Sequence, residues 1–248
     1  MADDAQAVAQ RKLSKEQVEA FYHDEFVADQ VADFVELLPS PRPGAVVADV
    51  GGGCGFFARA LSDARGDRTR VIDMDPGSVE ASRVLGVEAV IGDALAPQFK
   101  GDEQVACFNL ILHHLVGTDE NKTRALQVKA LGAWRAQADT VFVNEYIYES
   151  FVGTVSGRII YEITVNPVLS FIGRQAARLM PALKANTFGV GVRFRSHREW
   201  LKLFEEAGWR TTAVRIGKPE PIARPLRGML IKVIRRDSFR LEPLTSVL

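Results

Sequence analysis

Four glycines in five positions, Gly51, Gly52, Gly53 and Gly55, follow an apolar run, Ala45–Val50, that contains a single acid, Asp49. A helix start at Phe56–Leu61 comes next. Strand, glycine turn and helix together make a ligand cradle. Without side chains, backbone N–H groups and the helix N-terminus can approach a nucleotide-like molecule. A plain turn does not need that many glycines, because each costs chain entropy on folding. Acids recur where later strands should end. Asp73 closes the run Thr69–Met74, twenty positions after Gly53, and Asp93 follows the run Glu88–Ile91. A carboxylate at the end of a second strand can accept hydrogen bonds from ribose hydroxyls, although a solvated strand-end acid has the same look. A second set of residues could move a proton. His113 and His114 follow the strand Gln104–Asn109, and Glu145 lies near the carboxyl end of the strand Thr140–Tyr146. Imidazole titrates near neutrality and serves as base or hydrogen-bond partner. No Cys, His or carboxylate set at ligand spacing accompanies the histidines, so no metal is expected.

Two ligand classes use such a turn. Gly53-Cys54-Gly55-Phe56-Phe57-Ala58 satisfies the dinucleotide pattern G-x-G-x-x-A, which an NAD(P)-dependent oxidoreductase would carry. Asp49-Val50-Gly51-Gly52-Gly53-Cys54-Gly55 also reads D-x-G-x-G-x-G. It resembles the glycine turn of the class I S-adenosylmethionine-dependent methyltransferase superfamily. An acid inside a buried strand is costly without a polar partner. A dinucleotide fold has no use for it, whereas in that superfamily it helps organise the loop near the ligand's amino-acid end. Two further stretches are similar to the same superfamily. Leu112-His113-His114-Leu115 resembles the segment after the fourth strand in small-molecule and quinone-type members, and Phe194–Trp209 resembles the helix before their sixth strand.

The resemblance covers roughly residues 45–235. It implies an α/β fold, a Rossmann-like doubly wound seven-stranded sheet, mostly parallel with the last strand antiparallel. It implies S-adenosyl-L-methionine as cofactor and S-adenosyl-L-homocysteine as product. The matching cofactor-binding positions are Asp49, Gly51, Gly53, Gly55, Asp73, Met74, Asp93, Ala94 and Asn109, with Asp93 placed for the adenine amino group. His113, His114 and Glu145 are the candidates for the base or the substrate hydrogen-bond partner. The implied reaction is methyl transfer to an O, N or C atom of a mostly apolar small molecule, a secondary metabolite being one option. A protein that binds the cofactor without transferring methyl is the other alternative.

The elements that must position these residues are legible in outline. Residues 1–44 read as an N-terminal helical cover. Ser14 and Gln17 make a capping box, Val27, Val31, Phe34 and Leu38 share one helix face, and Tyr22 is a candidate substrate contact. Thr118 is expected to cap a helix running to about residue 135. Residues 149–194 exceed what the core fold needs and read as a helical lid on a domain spanning 45–236. Asn166-Pro167 should open a helix there. Arg174 and Arg178, one turn apart, are candidates to meet a carboxylate or phosphate. Ser196 with Glu199 forms a second capping box, and Trp200, Leu201, Phe204 and Ala207 make its buried stripe. The strands Thr211–Ile216 and Met229–Ile234 should end the sheet. From Arg235 the chain reads as a polar, unpaired tail, with 237–248 set apart as a C-terminal segment.

Composition bounds the rest. The 248 residues carry 31 basic and 31 acidic side chains, a formal net charge of +0, so no electrostatic footprint for nucleic acid stands out. Two cysteines give no disulfide framework and suit a reducing, cytoplasmic setting. The opening residues lack the apolar core of a signal peptide, and no run of about 18 apolar residues predicts an integral membrane segment. The expected partner is a small-molecule substrate, with homo-oligomerisation left open.

Overall fold

The computed structural model describes residues 24–179 and 191–244. In chain order these form α1 (Asp24–Leu37), β1 (Val46–Val50), α2 (Phe56–Arg65), β2 (Arg68–Asp73), α3 (Pro76–Val84), β3 (Glu88–Ile91) and β4 (Glu103–Asn109). A 3₁₀ turn at Leu112–His114 leads to α4 (Glu120–Gly132), β5 (Thr140–Ser150), α5 (Val155–Val165) and α6 (Pro167–Leu179). Then come α7 (His197–Glu206), β6 (Trp209–Arg215), the short α8 (Arg224–Arg227) and β7 (Ile231–Pro243).

The seven strands form one sheet in the order β3-β2-β1-β4-β5-β7-β6. β1 to β5 pair in parallel, and β7 runs antiparallel to both β5 and β6. The expected Rossmann-like sheet with an antiparallel last strand is therefore the observed one. Its order reverses between β1 and β4, the place where open α/β sheets leave a crevice at the carboxyl ends of their strands.

Both faces are covered, as a parallel sheet requires. On one face Val31 and Phe34 of α1, Leu38 just beyond it, and Phe57 and Leu61 of α2 pack against Val47, Val105, Cys107 and Phe142. Phe34 meets Phe57 and Phe142 edge-on, and α1 uses the stripe that its spacing predicts. On the other face Ala130 and Leu131 of α4 and Trp200, Leu203 and Phe204 of α7 cover Ala106, Phe108, Val141 and Val143.

Two expectations are corrected. Asp119, not Thr118, is the N-cap of α4; its carboxylate accepts from Lys122 N, a better-placed acceptor than the hydroxyl one residue earlier. The polar tail expected from Arg235 is instead the second half of β7, paired with β5 and β6 through Pro243. Its polar residues belong there because they are partnered. Asp237, fully buried, accepts from His197 Nδ1, Arg235 Nε and Gly217 N. Ser238 accepts from Asn144 Nδ2 and donates to Asp33. The segment 237–243 is thus part of the sheet rather than of a tail.

Candidate active site

The glycine turn sits where β1 ends. Gly51, Gly53 and Gly55 all have positive φ, at 67°, 54° and 80°. Gly51 has a second reason to lack a side chain, because the Ile111 side chain occupies the place its Cβ would take. Asp73, at the end of β2, holds the loop: Oδ2 accepts from Gly53 N at 2.9 Å and Oδ1 from Asp75 N at 2.8 Å. Burial pushes its carboxyl up, while these backbone hydrogen bonds pull it back down. Asp75 is the N-cap of α3, its side chain accepting from Ser78 N. Ser82 of α3 donates to Gly53 O, so the loop is also held from below.

Asp49 lies under the turn at 1% exposure. Its Oδ1 accepts from Asn109 Nδ2 at 3.2 Å, and its Oδ2 has no hydrogen-bond partner. The buried Asn109 Oδ1 is unpartnered as well. Burial, reinforced by the nearby Asp73 charge, raises the Asp49 carboxyl to about 7, the Asn109 hydrogen bond opposing it. Two orphaned acceptors in a dry site cost free energy unless a donor arrives. Beside them a cleft is lined by Gly51, Ile72, Asp73, Met74, Gly92, Ala94 and Ile111. Asp93 adjoins this cleft, its Oδ1 accepting from Leu95 N in a local turn. The predicted cofactor positions Asp49, Gly51, Gly53, Asp73, Met74, Asp93, Ala94 and Asn109 are therefore neighbours in space. Gly55 is the left-handed N-cap of α2 and packs on Ser82.

After Asn109 the chain turns at Leu110, whose φ of 55° is unusual for a branched side chain. That turn brings Ile111 over Gly51 and delivers the histidines. His113 Nδ1 lies 2.7 Å from Glu145 Oε2, and both side chains are buried. Glu145 also accepts from Leu112 N through Oε1, at 2.7 Å, and from Tyr146 N through Oε2, at 3.2 Å. Glu145, fully buried, is thus an interior anchor. In the neutral ring a carboxylate on Nδ1 leaves Nε2 with its lone pair. His114 is half-buried with its ring 4.1 Å from that of His113. Burial and the adjacent His113 push it well below the ordinary histidine range, so it stays neutral.

Aromatic rings complete this side. Phe194 lies 4.9 Å from the His113 ring and stacks on Tyr148 at 4.3 Å with planes 12° apart. Tyr146 meets both His113 and Phe194 edge-on. Burial raises the Tyr146 phenol to about 12 and pushes Tyr148 further up, so both remain protonated. Phe194 and the tyrosines are absent from the sequence-derived set. The alternation Arg193-Phe194-Arg195 ahead of the capping box is the signal that could have found the first of them.

α5 packs beside this cluster. Its Gly157 lies so close to Phe194 O that a Cβ would collide with it, and Tyr161 donates to Gly117 O at 3.0 Å. Asn166 caps α6 as expected, accepting from Val168 N and Leu169 N. Tyr22 falls outside the described residues, as do the side chains of Arg174 and Arg178. Among the described residues no group of Cys, His, Asp and Glu could hold a metal ion, and no helix is long and apolar enough to cross a membrane.

No family model matches the chain, and no curated protein does. Solved structures do. A mitomycin 7-O-methyltransferase is 17% identical, with 87% of this chain and 53% of that one covered at a TM-score of 0.53. The 1,6-didemethyltoxoflavin-N1-methyltransferase of Burkholderia thailandensis, solved with its substrate and S-adenosylhomocysteine, is 15% identical over 89% and 79%, with a TM-score of 0.55. LepI, solved with S-adenosylmethionine, is 15% identical over 86% and 46%, with a TM-score of 0.53. The chain spans about half the length of the first of these, at 53%. What is shared is the fold: a Rossmann-like sheet, closed by an antiparallel strand, that S-adenosylmethionine-dependent methyltransferases use.

Proposed function

We propose that a chain with the fold of the class I S-adenosylmethionine-dependent methyltransferases uses its glycine cradle for that cofactor and transfers the methyl group to a small molecule. The observation that carries this reading is the orphaned, buried Oδ2 of Asp49 beneath a bare-backbone turn. A cationic amino-acid tail would supply the donor that Oδ2 and Asn109 Oδ1 lack. A nicotinamide dinucleotide has no counterpart to offer there. Asp73, at the end of β2 beside the cleft, would take the ribose hydroxyls, and Asp93 with Ala94 would border the adenine.

When bound, S-adenosylmethionine supplies an activated methyl on a sulfonium, and S-adenosylhomocysteine remains after transfer. The residues then have to orient the acceptor and handle its proton. His113 Nε2, left with its lone pair by the Glu145 contact on Nδ1, is the group to take a hydroxyl proton. Glu145 orients the ring and stabilises the charged imidazolium that results. His114, kept neutral, serves as a hydrogen-bond partner. Phe194 and Tyr148 offer a flat apolar wall, which suits an apolar, planar acceptor. Holding such an acceptor in line can contribute about 7–11 kcal/mol to lowering the barrier. The helices of the insert, α5 and α6, act as the substrate lid, with Tyr22, Arg174 and Arg178 as further candidate contacts.

The test is incubation with S-adenosylmethionine and a panel of hydroxylated aromatic compounds, followed by mass detection. A gain of one methyl that disappears in His113→Gln supports the proposal. A chain that binds the cofactor but methylates no member of the panel favours the reading of a binding protein without methyl transfer.

A further inference from the structure

All four backbone polar groups of Leu112 and His113 are held by tertiary contacts. Leu112 N and His113 N both approach Glu145 Oε1, at 2.7 and 3.4 Å. Leu112 O accepts from Gln127 Nε2 at 2.9 Å, and His113 O accepts from Arg193 N at 2.9 Å. The two carbonyl contacts lead to one charged cluster. Arg195 Nε donates to Gln127 Oε1 at 2.8 Å. Arg193 and Arg195 are both buried, at 0% and 1% exposure, on either side of Phe194. Glu120, at the start of α4, bridges them: Oε2 accepts from Arg193 Nε at 2.7 Å and Oε1 from Arg195 Nη1 at 2.8 Å. Glu199 also takes Arg193, and with Glu120 it balances the two guanidinium charges.

A buried charge with its partner removed must move or recruit water. Glu199 is already committed to the Ser196 capping box. Glu199 reaches Arg195 only at 3.9 Å, whereas Glu120 hydrogen-bonds both arginines and through them ties the Phe194 segment to the histidine turn. We propose that Glu120 is a positioning residue for His113: it locks the Arg193-Phe194-Arg195 segment against the turn and so keeps the His113 ring on Glu145. This rests on reading His113 as the proton acceptor for the methylated substrate. Glu120 itself touches neither the ring nor the cleft.

The experiment uses the full chain with ¹⁵N-labelled histidine, four residues in all, assigned by single substitutions. Long-range ¹H–¹⁵N spectra report which ring nitrogen carries the hydrogen. In the wild type His113 should give the pattern of one tautomer, protonated at Nδ1. Glu120→Gln should replace it with an averaged or broadened pattern while leaving His197 unmoved. Glu206→Gln provides the control. It removes a different ion pair of α4, between Arg124 and Glu206 of α7, that does not reach the histidine turn, and it should leave His113 unchanged. If Glu120→Gln does not fold, Glu120→Asp, too short to bridge both arginines, is read in the same way. An unaltered His113 pattern in the folded variant, with only a lower melting temperature, overturns the proposal. No methyl acceptor is needed, so that failure leaves the methyl-transfer reading untouched. Failure of the methylation assay equally leaves this result standing.

Discussion

His113 Nδ1 and Glu145 Oε2 are 2.7 Å apart in a site where neither side chain is more than 4% exposed. Residues 32 positions apart in the chain are joined there by a buried hydrogen bond. Removing either partner therefore acts on chemistry first. His113→Gln should lower turnover by about 10²–10⁴-fold. Its affinity for S-adenosylmethionine, measured by calorimetry, should stay within about twofold of wild type, because an effect confined to the reacting complex appears in kcat. Glu145→Gln should lower turnover too, and it should also cost about 1–3 kcal/mol of stability in denaturant titrations, since its carboxylate is the buried acceptor for several N–H groups.

Asp49 should make both stability and cofactor binding depend on pH. Its carboxyl titrates at about 7 in the fold, against an ordinary value of 3.8. The folded chain thus holds a proton that the unfolded chain has lost between those values. That contribution to stability is complete below the ordinary carboxyl range and is lost as pH rises through about 7. Asp49→Asn should remove this dependence and melt higher than wild type above pH 7. A cationic ligand favours the ionised carboxyl, so binding near pH 6 to 7 should release a proton. Calorimetry in buffers of different ionisation enthalpy would measure that release, and Asp49→Asn should abolish it.

Much of the cradle is legible in the chain because its constraints are local. The turn needs positive φ at Gly51, Gly53 and Gly55, and Asp73 bonds a loop that the motif spacing already places beside it. The capping box at Ser196 is likewise closed within four residues. What escapes the sequence depends on tertiary partners. Arg235, Arg236 and Asp237 look like a solvated tail until Glu149, Glu220 and His197 are brought alongside them. Glu145 reads only as a candidate near a strand end; its burial and its role as anchor of the histidine turn come from tertiary partners. Phe194 gives no periodic signal, because it lies on a short irregular segment pinned by two buried arginines.

Gly157 measures how closely the insert is seated. A methyl there meets the Phe194 carbonyl in a helix–segment contact that leaves no room. Gly157→Ala should destabilise the fold by about 1–3 kcal/mol in denaturant titrations, as overpacking does. Turnover should fall with it, since Phe194 is displaced from the His113 ring. Cofactor affinity should hold, because the cradle lies on other elements. Loss of cofactor affinity in a folded Gly157→Ala variant would mean that the insert contributes to the cradle itself.

Gly51→Ala should act on the cofactor and not on the acceptor. The added carbon collides with Ile111 and is strained at φ 67°. Binding of S-adenosylmethionine should weaken by at least about tenfold, with roughly 1 kcal/mol or more lost to strain. Ile111→Ala in the same chain should recover part of the affinity, since it removes the collision and leaves the strain.

The most direct measurement is calorimetric titration of the full chain with S-adenosylmethionine, and separately with NADH, in wild type and Asp73→Ala. Expected are saturable binding of one S-adenosylmethionine per chain, a loss of about ten- to a hundredfold or more in Asp73→Ala, and no heat from NADH. Saturable binding of NADH, no binding of S-adenosylmethionine, or an affinity unchanged by Asp73→Ala would contradict the assignment of the cradle.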